Sequence, residues 1–175
     1  SAPYNNEKQE ETMIYEIKDT NKISPLFGHW EETLIWSCLQ GIMGKIYAND
    51  LTAPTAAMAV IGDFTFFAGE PCPELIAYRP PHCTQNFMIA VPQNKLWENM
   101  LTQFYGKKAK IISRYATKKE PPIFNKHHLE KIVASLPKQY TLSMIDSHFY
   151  KLCKSEAWSK DLVSQFSTYE KYRRL

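Results

Sequence analysis

Residues 87–100 read FMIAVPQNKLWENM, a short apolar strand that turns through a proline into an amphipathic helix. A turn of this kind could hold a nucleotide or coenzyme phosphate. The first amides of a helix lack intrahelical partners, and the helix dipole favours an anion beside them. A second group of residues is cationic: Lys107, Lys108, Lys110, Arg114, Lys118 and Lys119 crowd the stretch GKKAKIISRYATKK around Ile111, Ile112 and Tyr115. These side chains could contact the phosphates of RNA or another polyanion, with Tyr115 stacking on a base. They could equally flank a sheet strand as solvated guards against edge pairing. The net charge of +3 is too small to indicate a nucleic-acid binder by itself.

Thiol and imidazole chemistry has weaker signals. Cys38, Cys72, Cys83 and Cys153 are irregularly spaced with no Cys-x-x-Cys pair, and read as reduced, structural thiols. Cys83 with His82 or His148 is the one pairing that would suit a small hydrolase. Chain neighbours rarely face one centre, however, and no second pair is spaced to complete a tetrahedral metal site. His127 and His128, followed by Glu130, lie about 100° apart on a helix, and the His-Glu-x-x-His spacing that aligns two imidazoles is missing. No metal is expected.

The elements that must position these groups follow from periodicity. With 175 residues, 44% hydrophobic and 13% aromatic, the chain can bury one sizeable core. Residues 1–12 are polar and aperiodic and read as a flexible leader. From Trp30 to Met43 apolar residues recur at three and four residue intervals, the stripe of a packed helix that Gly41 and Gly44 weaken and end. AAMAVIGDFTFFAGEP predicts two strands joined at Gly62-Asp63. One helical turn is expected within 72–83, then the strand of residues 86–92 and a helix from Asn94 to Tyr105 with Leu96, Trp97, Met100, Leu101 and Phe104 on its apolar side. Gly106 stops that helix. Ile111 to Ala116 reads as a strand, Pro121-Pro122 as a break, and Asn125 as the cap of a helix carrying Leu129, Ile132, Val133 and Leu136. YTLSMID alternates like a half-buried strand, and the tail from Asp146 is helical by period. The sum is an α/β fold, α+β by strict count: a mixed sheet flanked by helices with its antiparallel part first. No apolar run approaches the roughly 20 residues of a membrane helix and no signal-peptide pattern opens the chain, so a cytoplasmic protein is expected.

SPLFGHWEETLIWSCLQGIMGKIYANDLTAPTAAMAVIGDFTFFAGEP, followed in order by MIAVPQNKLWENML, ISRYATKK, YTLSMID and WSKDLVSQFSTYEKYRRL, resembles the GNAT-type acetyltransferases built as an N-terminal half and a catalytic C-terminal half. The resemblance spans roughly residues 22–175, and SCLQGIMG and GDFTFFAG are its most specific parts. It implies a GNAT-like (acyl-CoA N-acyltransferase-like) fold, acetyl-CoA as donor, a primary amine of a small molecule or peptide as acceptor, and a sheet parted where the thioester inserts. The superfamily holds the pyrophosphate on a Gln/Arg-x-x-Gly-x-Gly/Ala turn. Here the turn PQNKLWE keeps Gln93 but has Leu96 and Glu98 in place of the glycines, so a Cβ and a carboxylate stand where phosphate oxygens would approach. This turn is therefore expected to be structural.

By the same resemblance, residues 13–157 form a GNAT-like N-terminal domain and 158–175 a helix leading into a catalytic domain that would follow Leu175. That catalytic half is the expected partner; neither a membrane nor nucleic acid is. Gln40, Gly41, Gly44, Phe67 and Gly69 are candidates for the face toward the acceptor, and Glu70 is the best candidate for a catalytic group, able to receive an ammonium proton. The alternative is a scaffolding or polyanion-binding module using segment 107–119. The acceptor amine and the oligomeric state are not legible in the sequence.

Overall fold

The computed structural model describes residues 13–115, 120 and 123–174, and the expected leader and the Pro121-Pro122 break lie outside them. Among the described residues five strands form one mixed sheet in sequence order: β1 (Tyr15–Ile17), β2 (Lys45–Ala48), β3 (Ala56–Ile61), β4 (Phe64–Gly69) and β5 (Ile89–Pro92). β1 to β4 run antiparallel and β5 lies parallel to β4. The predicted hairpin forms: Ile61 pairs with Phe64 across Gly62-Asp63, and the positive φ of 55° at Gly62 lets the chain reverse in two residues. β1 and β2 were not expected from pattern, because three- and four-residue strands are too short to show alternation.

β3 is buried along its whole length because helices cover both faces of the sheet. α1 (Ser24–Phe27) and α2 (Thr33–Leu39) set Phe27, Ile35 and Cys38 against Ala57, Ala59 and Ile61. α3 (Pro73–Ala77) and α4 (Lys95–Tyr105) set Leu75, Ile76, Trp97 and Leu101 against Met58, Val60 and Phe67. The helix expected from Trp30 starts later, at Thr33, where the Glu32 carboxylate accepts from the Leu34 amide. Trp30 still packs edge-on against Phe66 at 5.8 Å. α4 has its predicted bounds, but Leu96 and Phe104 are 65% and 50% exposed, because the helix turns Trp97 and Leu101 toward the sheet.

The chain divides into one unit made of residues up to Ala109 together with Val163 onward, and a second unit, Lys110–Leu162. The second holds α5 (Lys126–Ala134), capped as expected by Asn125, whose Oδ1 accepts from the His128 amide at 3.0 Å, and α6 (Ser147–Ser155), capped by Asp146, whose Oδ1 accepts from that of Phe149 at 2.8 Å. The two strands expected there do not form among the described residues. Residues 111–115 and 140–146 carry no regular structure, and Tyr140, Leu142 and Met144 are exposed, since no strand lies beside them to complete a ladder. Ala116, the end of the first expected strand, lies outside the described residues. Leu129, Ile132 and Val133 of α5 are likewise about half exposed. The expected helix over 158–175 is also replaced. A 3-10 turn at Lys160–Leu162 precedes a short helix, α7 (Tyr169–Tyr172), where Thr168 Oγ1 accepts from the Lys171 amide, and Val163 and Phe166 provide the burial.

Candidate functional site at the parting of the parallel strands

β4 and β5 are paired from Phe64↔Ile89 to Phe67↔Pro92, and the Gln93 amide donates to Phe67 O at 3.0 Å. The strands then part: β4 runs on through Gly69 to Glu70, while β5 turns into α4. The carboxyl ends of parallel strands are where open α/β sheets bind ligands, so this parting is the place to test first.

It is filled by the protein's own side chains. Gln93 Oε1 accepts from the Gly69 amide at 3.0 Å, and Gln93 Nε2 donates to Leu26 O at 2.8 Å, which ties β4, α1 and the turn together. Trp97, fully buried, donates its indole N–H to Gly69 O at 2.9 Å and packs on Phe67 with ring centroids 5.1 Å apart. Both polar groups of the Gly69 backbone are therefore bonded to side chains rather than to a strand. Gly69 is obligatory here: its φ is 80° and a Cβ would run into the carbonyl oxygen of Thr55.

The strand-to-helix turn is closed in the same manner. Asn94 Oδ1 accepts from the amides of Leu96 at 3.0 Å and Trp97 at 3.2 Å, and Asn94 O accepts from that of Glu98. Glu98 adds a carboxylate, paired to Lys95 Nζ at 2.5 Å. An anion seated on this helix start would have to displace Asn94 and lie beside Glu98. The residues present do not fit a coenzyme pyrophosphate. Gln93 is legible in the sequence as part of this turn; the cap by Asn94 and the closure by Trp97 are seen only in the fold, although Asn before Lys-Leu-Trp-Glu is an N-cap signal.

The predicted acceptor-side residues separate into two places. Phe67, Gly69 and Glu70 belong to the end of β4; Phe67 is buried in the core, and the Glu70 side chain is exposed with no hydrogen-bond partner among the described residues. Gln40, Gly41 and Gly44 belong to the connection from α2 to β2. Gln40 borders an open groove of about 290 Å³ shared with Thr20, Asn21, Ser24, Trp36 and Leu39. Gly44, at φ 67°, lets backbone pass where a Cβ would strike Cys38 Sγ, Val60 O and Ile61, which is a packing role.

Among the described residues the basic segment forms no strand. Lys107 and Lys108 lie in a 3-10 turn after Gly106, Lys110 and Arg114 are exposed on irregular backbone, and Lys118 and Lys119 lie outside the described residues. Tyr115 is 96% exposed.

Burial favours the neutral thiol at Cys38, Cys72 and Cys83: it pushes Cys38 up to about 12 and raises the other two as well. His82 faces Tyr47 instead of Cys83: its Nδ1 lies 3.4 Å from the Tyr47 hydroxyl and the two rings are near parallel. Burial, then Lys45, depresses the basicity of His82. The cleft that Cys83 shares with Arg79, Tyr78 and Asp63 offers about 10 Å³, room for roughly one water molecule. Among the described residues no three His, Cys, Asp or Glu gather as metal ligands.

Residues 24–175 match the family described as GNAT acetyltransferase. A crystal structure of a GCN5-related N-acetyltransferase-like protein from Streptococcus suis 89/1591 is similar at 38% identity and a TM-score of 0.71, over 90% of this chain and 62% of that chain. The chain thus spans less than two thirds of the length of that relative. No curated protein matches it. No helix among the described residues is long and apolar enough to cross a membrane.

Proposed function

The chain belongs to the GNAT acetyltransferase family, and from that premise we propose that it is the acceptor-side, non-catalytic half of an N-acetyltransferase that moves an acetyl group from acetyl-CoA to an amine. The observation that carries this reading is Asn94, whose side chain occupies the amides of Leu96 and Trp97 where a coenzyme phosphate would bind. The filled parting of β4 and β5 supports it, because Gln93 and Trp97 already take both polar groups of Gly69. The amide cradle for the coenzyme is then supplied by a catalytic half of the same polypeptide, and the relative that extends beyond the matched region is consistent with such a partner.

In this reading Glu70, an unpaired carboxylate at the end of β4, accepts a proton from the ammonium acceptor or holds it by charge. Gln40 offers a polar contact at the rim of the open groove, Gly41 follows it in the connection from α2 to β2, and Gly44, Phe67 and Gly69 shape the backbone and core. The four free cysteines suit a reducing, cytoplasmic setting.

Calorimetry of the 175-residue chain with acetyl-CoA at physiological salt tests the reading. Binding should be no tighter than roughly millimolar, which corresponds to about −4 kcal/mol. Saturable micromolar binding would place the coenzyme site in this chain and overturn the assignment.

A further inference from the structure

Residues 110–162 are rich in apolar side chains, and the described ones among them are mostly not buried. Among the described residues of this stretch, Tyr150 and Ser159 are the ones that are buried. Ile111 (69%), Phe124 (77%), Val133 (50%), Leu142 (64%), Met144 (90%) and Trp158 (84%) face solvent. Isolated exposed apolar residues are ordinary, but this density in one unit marks a surface that is meant to be covered. The stretch does not have the composition of a disordered segment: α5 and α6 are formed, and both are capped by Asn125 and Asp146. It also carries the strand alternation Tyr140, Leu142, Met144, which pairs with no strand among the described residues.

Three observations bear on the occupant. The family match runs through all of residues 110–162, so the stretch is an integral part of the family's fold. More than a third of the Streptococcus suis chain lies outside the matched portion, enough polypeptide to cover such a face. Finally, the stretch holds ten lysines and arginines against five aspartates and glutamates. Two copies of a surface this basic repel each other, whereas an acidic rim is attracted.

We propose that residues 110–162 are a docking face for a further segment of the same polypeptide, apolar at its centre and acidic at its rim, which adds a strand beside residues 140–144. Strand addition suits the observation because main-chain hydrogen bonds supply the missing ladder while alternate side chains enter the partner's core. The proposal rests on the reading of the chain as one half of a longer enzyme, and it assigns the surface that holds the halves together.

The test is amide hydrogen exchange on the 175-residue chain and on the chain extended through its natural stop codon. In the extended chain residues 140–144 should exchange about 100-fold more slowly or better. Leu142→Asp should leave the melting of the 175-residue chain unchanged, as its side chain is exposed, yet abolish the added protection; Leu142→Met should retain it. Equal exchange in the two chains would overturn the proposal, as would a stop codon directly after Leu175. Protection that appears in the 175-residue chain only as it dimerises, or only with added RNA, would also overturn it by naming another occupant. Acetyl transfer by the extended chain is read separately: protection without transfer rejects the enzyme reading and keeps the docking face, and transfer without protection does the reverse.

Discussion

β3, a continuous apolar run, and the segment Tyr140–Met144, which alternates apolar and polar residues, have opposite fates. Every residue of β3 is buried, with β2 and β4 bonded on its two edges and helices over both faces. Residues 140, 142 and 144 are 63%, 64% and 90% exposed on backbone without regular structure. Alternation thus states which side chains a strand would bury, but a strand exists only where a neighbour supplies hydrogen bonds and a layer covers it. Helix caps behave differently. Asn94 in the sheet unit and Asn125 and Asp146 in the other all accept from amides two or three residues on, whether or not a core lies beneath.

The sharpest way to break this contrast is to truncate one apolar side chain in each region. Trp97→Ala should destabilise the sheet unit by about 3–5 kcal/mol in denaturant unfolding, since it removes a fully buried indole. Met144→Ala should stay within about 0.5 kcal/mol. Comparable losses would mean that residues 140–146 already belong to a core.

Glycine separates packing from conformation. Gly69→Ala should cost about 1–3 kcal/mol for its positive φ and more for the collision with Thr55 O. Gly41→Ala, at φ 65° with open space around the added methyl, should cost only the conformational part, about 1–2 kcal/mol. Equal values at the two positions would show that the close approach at Gly69 is relieved by small shifts.

A smaller effect is expected at the caps. Asn94→Ala should lower the stability of the sheet unit by about 1 kcal/mol. Asn125→Ala should fray α5, seen as faster amide exchange at His128, with little change in the melting temperature of the sheet unit.

The smallest effect is acidic. The Asp50 carboxyl is held below its ordinary value of 3.8 by accepting from the backbone amides of Ala53 and Thr52 and from the Thr52 hydroxyl. A lowered folded value favours the native state at pH above 3.8, and that contribution is lost as pH falls through the folded value. Asp50→Asn should therefore flatten the stability profile slightly below about pH 4, and an unchanged profile would remove Asp50 from the account.

What the sequence determined by itself is what acts within a few residues. The Gly62-Asp63 reversal, the stop at Gly106, the helix start at Asn94 and the cap at Asn125 were legible because a positive φ or a side chain reaching an amide two or three positions away needs no other part of the chain. The absent glycines of PQNKLWE were legible for the same reason, and they already argued against a phosphate cradle. Only the tertiary structure decided the rest. Gln93 reaches Gly69 across 24 residues and Leu26 across 67, and Trp97 reaches Gly69 across 28. No local pattern encodes that closure, because each bond exists only once β4, β5 and α1 have been brought together by burying the sheet. The unformed strand at residues 140–146 follows from the same physics: its pattern is local, while the hydrogen bonds and the cover that would make it a strand must come from elsewhere.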